Sequence, residues 1–219
     1  MRVVGVVPAA GLATRLQPLE GSKELLEIGG RPVIDYLLER MGAGGAEELR
    51  VVTRPEKDDV IEHARAAGAS VIIGTPASPA VSFSLGLAGL EAGDVVLLGF
   101  PDTIWEPPDG YARLVELLGD DDAALGLFRT PELSRSDVVV LSGDRVTGIA
   151  VKPDTPQSDL IWGCAAVRRS ALEGLARHTA VSTLLDGHAR AGRVRGVHLS
   201  DSWLDIGTPE SLAQARASA

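Results

Sequence analysis

The chain has 219 residues, 45% hydrophobic and 23% charged, with 21 Lys and Arg against 30 Asp and Glu, a formal charge of −9. That length is enough to bury a substantial core, and the composition excludes a disordered or fibrous chain. The acidic balance argues against nucleic acid or an anionic membrane as partner, because both require a basic footprint; a small anionic substrate held by a few local cations stays open.

Cys164 is the single cysteine. It excludes an internal disulfide and a Cys/His zinc cluster, and reads as a small buried apolar residue. No apolar run reaches the roughly 18 residues that span a bilayer. Met1-Arg2 followed by Val3–Val7 faintly resembles a signal peptide, but the run is short and enters a glycine loop. It therefore reads as a first strand, and the protein as cytoplasmic.

In chain order, short apolar runs alternate with amphipathic stretches. Strands are expected at Val3–Val7, Leu49–Thr53, Ser70–Ile73, Asp94–Leu98 and Ala123–Phe128. Helices are expected at Pro32–Met41, with Gly42 just past its end, at Lys57–Ala67, stopped by Gly68, and at Ala80–Leu90 and Tyr111–Leu118. This rhythm predicts a mostly parallel sheet with right-handed crossovers. Then it changes. Asp137–Leu141 and Val146–Val151 flank Ser142-Gly143-Asp144 as a hairpin. Leu160–Val167 is another apolar run, helical stretches follow at Ser170–Arg177 and Ser182–Ala191, and strands at Val194–Leu199 and Trp203–Ile206 precede a closing helix, Pro209–Ala217. With no linker, repeat or low-complexity segment, residues 1–219 read as one domain. Its expected fold is α/β: a Rossmann-like mixed, mostly parallel sheet with helices on both faces and a small β-rich insertion.

The most informative segment is Pro8-Ala9-Ala10-Gly11-Leu12-Ala13-Thr14-Arg15-Leu16-Gln17-Pro18-Leu19, followed by Gly21-Ser22-Lys23-Glu24-Leu25-Leu26. Small side chains after the first strand let backbone N–H groups approach a phosphate or a base. Arg15 offers a planar fork to phosphate oxygens and Lys23 a point charge. The loop follows the C-terminal end of a strand, where open α/β sheets bind ligands. It is neither a P-loop nor a dinucleotide fingerprint, since the first needs G-x-x-x-x-G-K-[ST] and the second fails after Gly11.

These residues resemble the signature of the sugar-1-phosphate nucleotidylyltransferases, of which glucose-1-phosphate thymidylyltransferase is a well-known type. Pro8 and Lys23-Glu24 are also similar to the bacterial UTP–glucose-1-phosphate uridylyltransferases. The likeness continues in family order through Gly30-Arg31-Pro32-Val33-Ile34-Asp35-Tyr36, Gly99-Phe100-Pro101-Asp102-Thr103-Ile104, Val151-Lys152-Pro153 and Trp203-Leu204-Asp205-Ile206-Gly207-Thr208-Pro209-Glu210. It implies the nucleotide-diphospho-sugar transferase fold and transfer of a nucleotidyl group from an NTP to a sugar 1-phosphate, with dTTP and glucose 1-phosphate first in line. UTP or CTP with another sugar or alcohol phosphate is the alternative, and a non-catalytic regulatory homologue a further one. By the same resemblance, Asp102 and Asp205 hold Mg²⁺, and Arg15 clamps the triphosphate. Lys23 stabilises the α-phosphate, and Lys152 holds the sugar phosphate. Ala9, Ala10, Gly11, Leu12, Thr14 and Arg15 cradle the nucleotide. The partners are then an NTP and a sugar 1-phosphate, with a homo-oligomer open.

Three departures bear on specificity. Ala13 replaces a usual glycine, Val151 the acid of the family's E-K-P, and Thr75–Ser82 lacks the usual base-reading pattern. Other features read as structural. His63, His178, His188 and His198 have no metal spacing, Asp120-Asp121-Asp122 is a solvated turn, and Phe83, Leu87 and Leu90 are core. Trp105 and Trp162 fit the core and a sugar pocket equally well.

Overall fold

The first strand, β1 (Val3–Pro8), is covered on both sides because its side chains alternate between two cores. Val4 and Val6 enter one, Val7 the other. Gly5 lies on the second side, where a Cβ would stand 2.7 Å from Met41 Sδ. Its bare backbone lets the first helix approach closely.

The computed structural model describes residues 1–218. After β1 come the short strands β2 (Glu27–Ile28) and β3 (Arg31–Pro32) and helix α1 (Val33–Ala43). Then follow β4 (Glu48–Thr53), α2 (Asp58–Ala66), β5 (Ser70–Ile73), α3 (Pro79–Leu85), β6 (Val95–Gly99), β7 (Thr103–Trp105), α4 (Gly110–Leu118) and β8 (Ala123–Arg129). The second half holds β9 (Asp137–Ser142), β10 (Arg145–Val151), β11 (Leu160–Arg168), α5 (Val181–Arg190), β12 (Val194–Ser200), β13 (Trp203–Asp205) and α6 (Pro209–Ser218).

Nine strands form one sheet in the order β5-β4-β1-β6-β11-β8-β12-β10-β9. β10 and β11 run against the rest, so the sheet is mixed and mostly parallel, as expected. Residues of α1, α2 and α4 pack on one face, and those of α3 and α5 on the other. The β-rich insertion is the β9–β10 hairpin, and it extends the main sheet: β10 pairs with β12, and Val138 of β9 meets Ile161 of β11. The chain runs outward from β1 to β4 and β5, then returns to lay β6 on the other side of β1. Strand order therefore reverses between β1 and β6, and the crevice at their C-terminal ends is the topological switch point.

Some local structure differs from the sequence reading. The stretch Ala80–Leu90 is helical only to Leu85, then turns at Gly86, where a Cβ would lie 2.3 Å from Val6. Ser170–Arg177 is two 3-10 turns, Arg169–Leu172 and Leu175–Arg177, separated by Gly174 at φ 76°. Asp121 and Asp122 are not a freely solvated turn. Asp121 accepts from Arg145 and Arg195, both at 2.6 Å, and Asp122 from His188 at 2.7 Å and from Arg193. These partners hold both carboxyls below the usual range against the opposing effect of burial. Trp105 is a core residue, 1% exposed, packed on Tyr111 and Phe128.

Cys164 is fully buried, and burial pushes its thiol far above the ordinary range. The native protein is expected to leave a chromogenic disulfide reagent unreacted at pH 8 and to release one equivalent of thiol after unfolding. Rapid native labelling would contradict the packing around β11.

Candidate active site

Three segments meet at the switch point: the loop after β1, the turn after β6, and β13. The loop after β1 begins with Ala9, whose N–H donates to Val52 O at 2.8 Å and whose side chain is buried, so Ala9 stays committed to the sheet. Beyond it the carbonyls are held from behind. Thr53 Oγ1 and Lys57 Nζ donate to Ala9 O at 3.2 and 3.0 Å. Arg54 Nε donates to Ala10 O at 2.8 Å, and Lys57 Nζ to Gly11 O at 3.0 Å. A trans peptide is planar, so a carbonyl drawn one way turns the next residue's N–H the other way. The amides of Ala10, Gly11 and Leu12 thus point away from the β4–α2 turn, and no protein acceptor is bonded to them among the described residues. Ala13 follows at φ 50°, in the left-handed region that favours glycine, and starts the 3-10 turn Thr14–Leu16 that carries Arg15.

Lys23 rides on a second 3-10 turn, Lys23–Leu25. Asp59 fixes its approach by accepting from Ser22 N and Ser22 Oγ, both at 2.8 Å. Lys23 lies beside Gly11, where a Cβ would stand 3.6 Å from Lys23 Cε, and its ammonium is bonded to Asp102. Burial alone would lower the ammonium, but Asp102, with Glu24 and Asp205, outweighs it and raises its pKa.

Asp102 and Asp205 are brought together by a ribbon that the sequence reading did not contain. β7 and β13 form an antiparallel pair in which Asp205 stands opposite Thr103, and Ile206 N donates to Asp102 O at 2.8 Å. Burial against the surrounding protein and then the charge of Asp102 push the Asp205 carboxyl up to about 6, partly offset by Lys23 and Arg15. Arg15 reaches the same place: a methyl at Gly207 would lie 2.9 Å from Arg15 Nη2 and 3.1 Å from Asp205 Oδ1. The glycine keeps that contact open.

Below β13, Trp203 lies over Gly163, where a Cβ would stand 2.0 Å from the indole, and 4.9 Å from the Phe128 ring. Gly163 is the bulge in β11, skipped in the pairing with β8. Gly163→Ala is expected to force Trp203 and β13 outward, at a cost of about 2 kcal/mol for an overpacked site. Turnover should fall more than stability explains, because Asp205 is displaced with the strand. Equal melting temperature and activity to wild type would refute this.

Lys152 stands apart. No hydrogen bond or ion pair links it to Lys23, Asp102 or Asp205 among the described residues. It is exposed and, at φ 43°, holds a strained left-handed conformation of the kind found at functional sites. Its position follows from the hairpin: Val151 pairs with Asp137, and the next β9 residue, Val138, with Ile161. Neighbouring Trp162 is 5% exposed, donates to Ser182 Oγ at 2.8 Å and packs 5.5 Å from Phe100, two residues before Asp102. Trp162 is therefore a core residue, packed with the side chains of α3 and α5.

Sequence reasoning missed Thr53, Arg54, Lys57 and Asp59. Thr53 ends β4, and Arg54, Lys57 and Asp59 lie just beyond it at the same end of the sheet, where the rule that singled out the first loop applies as well.

A model of the MobA-like NTP transferase domain matches residues 5–191. The chain belongs to this family. Among curated relatives, it is 30% identical to a glucose-1-phosphate thymidylyltransferase of Streptomyces griseus, over 95% of the chain and 64% of that protein. It is 28% identical to the UTP–glucose-1-phosphate uridylyltransferase AglF of Haloferax volcanii, over 96% of the chain and 93% of the relative. The chain spans less than two thirds of the Streptomyces protein, and 21% and 46% of the length of two other relatives. In fold it matches a Bacillus anthracis protein assigned as a glucose-1-phosphate thymidylyltransferase and crystallised with sucrose. That match has a TM-score of 0.87 at 19% identity, over 99% of this chain and 95% of the other.

Proposed function

We propose that the chain, as one domain over residues 1–219, is a cytoplasmic sugar-1-phosphate nucleotidylyltransferase that joins an NTP and a sugar 1-phosphate and releases pyrophosphate. The observation that carries this reading is the pairing of outward-turned amides with two cations and two carboxylates at the switch point. A polyphosphate needs donors, and two polyanions need local positive charge to meet.

Ala10, Gly11, Leu12 and Thr14 form the cradle for the nucleotide, with Ala9 fixing its base in the sheet. Arg15, a planar fork beside Asp205, takes the triphosphate and the departing pyrophosphate. Lys23 meets the charge that develops at the α-phosphate, and Lys152 holds the sugar phosphate. A phosphate oxygen of the sugar 1-phosphate attacks the α-phosphorus, and the bond to pyrophosphate breaks. The nucleophile is already anionic near neutral pH, so alignment and charge stabilisation do most of the work.

Asp102 and Asp205 are the residues that would hold Mg²⁺. Hard oxygen donors suit it, and a divalent cation would offset the burial and the neighbouring Asp102 charge that together raise the Asp205 carboxyl. Among the described residues no group of three or more His, Cys, Asp or Glu forms a closed metal cage. Two carboxylates leave positions for water and phosphate, as is usual for Mg²⁺. When bound, the ion neutralises phosphate charge.

Similarity to a thymidylyl- and a uridylyltransferase supports the reaction class. dTTP with glucose 1-phosphate is the first pair to test. Pyrophosphate release should be screened across dTTP, UTP, CTP, ATP and GTP against a panel of sugar 1-phosphates and phosphocholine, with and without Mg²⁺. Metal-dependent release with one pair is expected. Silence throughout, with nucleotide binding still seen in a thermal shift, would leave an acceptor outside the panel or a nucleotide-binding regulator.

A further inference from the structure

We infer that Lys57 is a positioning residue that sets the aim of the nucleotide loop, an inference that rests on the loop's proposed role as the nucleotide cradle. Lys57 lies in the turn between β4 and α2. Its ammonium has three donors, and three acceptors receive them: Ala9 O and Gly11 O at 3.0 Å each, and Glu24 Oε2 at 2.6 Å. The side chain is 11% exposed and the Glu24 side chain fully buried.

These bonds divide into two tasks. Glu24 matches the charge of Lys57 and lies next to Lys23 in the chain, so the pair ties the turn that carries Lys23 to the turn after β4. The two carbonyl bonds do something else. Through the rigid peptide plane, the hold on Ala9 O directs the Ala10 amide, and the hold on Gly11 O directs the Leu12 amide. Arg54, on Ala10 O, directs the Gly11 amide between them. Lys57 thus holds the Gly11 carbonyl alone and shares the Ala9 carbonyl with Thr53, so it bears on two of three consecutive amides. Removing it leaves Gly11 O unheld, so the Gly11–Leu12 peptide is free to rotate and the cradle loses a preorganised donor, while Thr53 still holds Ala9 O.

The test separates these tasks with the full-length chain. Lys57→Met alone leaves Glu24 buried without a partner, so the informative variants are E24Q and the double variant E24Q/K57M, which removes both charges together. dTTP and UTP with Mg²⁺ serve as probes, by calorimetry. The double variant is expected to bind the nucleotide that wild type binds about tenfold more weakly, the equivalent of one loop hydrogen bond. Its KM for glucose 1-phosphate should stay within about twofold, since the loop amides are assigned to the nucleotide in the proposed function. E24Q alone should stay within about threefold on both, because the carbonyl bonds survive. Without ligand, the ¹⁵N order parameter of Leu12 should drop from a rigid to a flexible value in the double variant only, while Ala10 and Gly11, still held through Thr53 and Arg54, change less. Wild-type affinity and order in the double variant would overturn the inference, as would equal losses in E24Q. If wild type binds neither nucleotide, the proposed function falls, and the order parameters still decide whether Lys57 holds the loop.

Discussion

Asp102→Asn is expected to lower turnover by about a thousandfold or more, with the fold intact. The substitution keeps the shape of the side chain and removes one charge. It therefore removes a hard anionic donor from the carboxylate pair and leaves the Lys23 ammonium without the counter-charge that positions it. Asp205→Asn should act in the same direction through the other half of the pair. Steady-state pyrophosphate release and circular dichroism on the same preparations check the claim. Activity within tenfold of wild type in either variant would remove that residue from the proposed metal-binding role.

The largest loss of stability is expected from Lys57→Met, about 3–5 kcal/mol, since it strands a buried carboxylate without its partner. This loss should depend on pH in a definite direction. Burial already raises the Glu24 carboxyl above its usual value near 4.5, with Lys57 pulling the other way. A carboxyl whose pKa is higher in the folded than in the unfolded state weakens the fold as pH rises. The penalty is absent below the unfolded value and complete above the folded one. Without Lys57 the folded value climbs further, so the gap between variant and wild type should be small at pH 4 and wide at pH 8. Urea unfolding at the two pH values measures it, and E24Q/K57M should recover most of the stability lost at pH 8. A gap that is constant with pH would mean that Glu24 is not the source.

Much of this architecture could be read from residue order. Parallel strands such as Val3–Pro8 and Val95–Gly99 are continuous apolar runs, and glycines such as Gly68 mark helix ends. The loop from Ala9 to Arg15 is conspicuous in small residues. The β7–β13 ribbon was harder to see, because three-residue strands show no periodicity and their partners lie far apart in the chain. Ser170–Arg177 has helical spacing, yet Gly174 and tertiary contacts divide it into two turns. Thr53, Arg54 and Lys57 escaped notice because each serves the site through a backbone carbonyl, and such a bond leaves no motif.

The ribbon also sets the order of assembly. Its two strands are roughly a hundred residues apart, and closing so long a loop brings its reward only after the intervening sheet exists to hold both ends. During synthesis the Arg15–Lys23 loop and Asp102 emerge early and can fold onto β1, β4 and β6, while Asp205 waits for the remaining strands. A nascent chain should therefore acquire affinity for polyphosphate well before it can turn over. Chains arrested on the ribosome at successive lengths would show binding first and pyrophosphate release only once β13 has docked against Gly163.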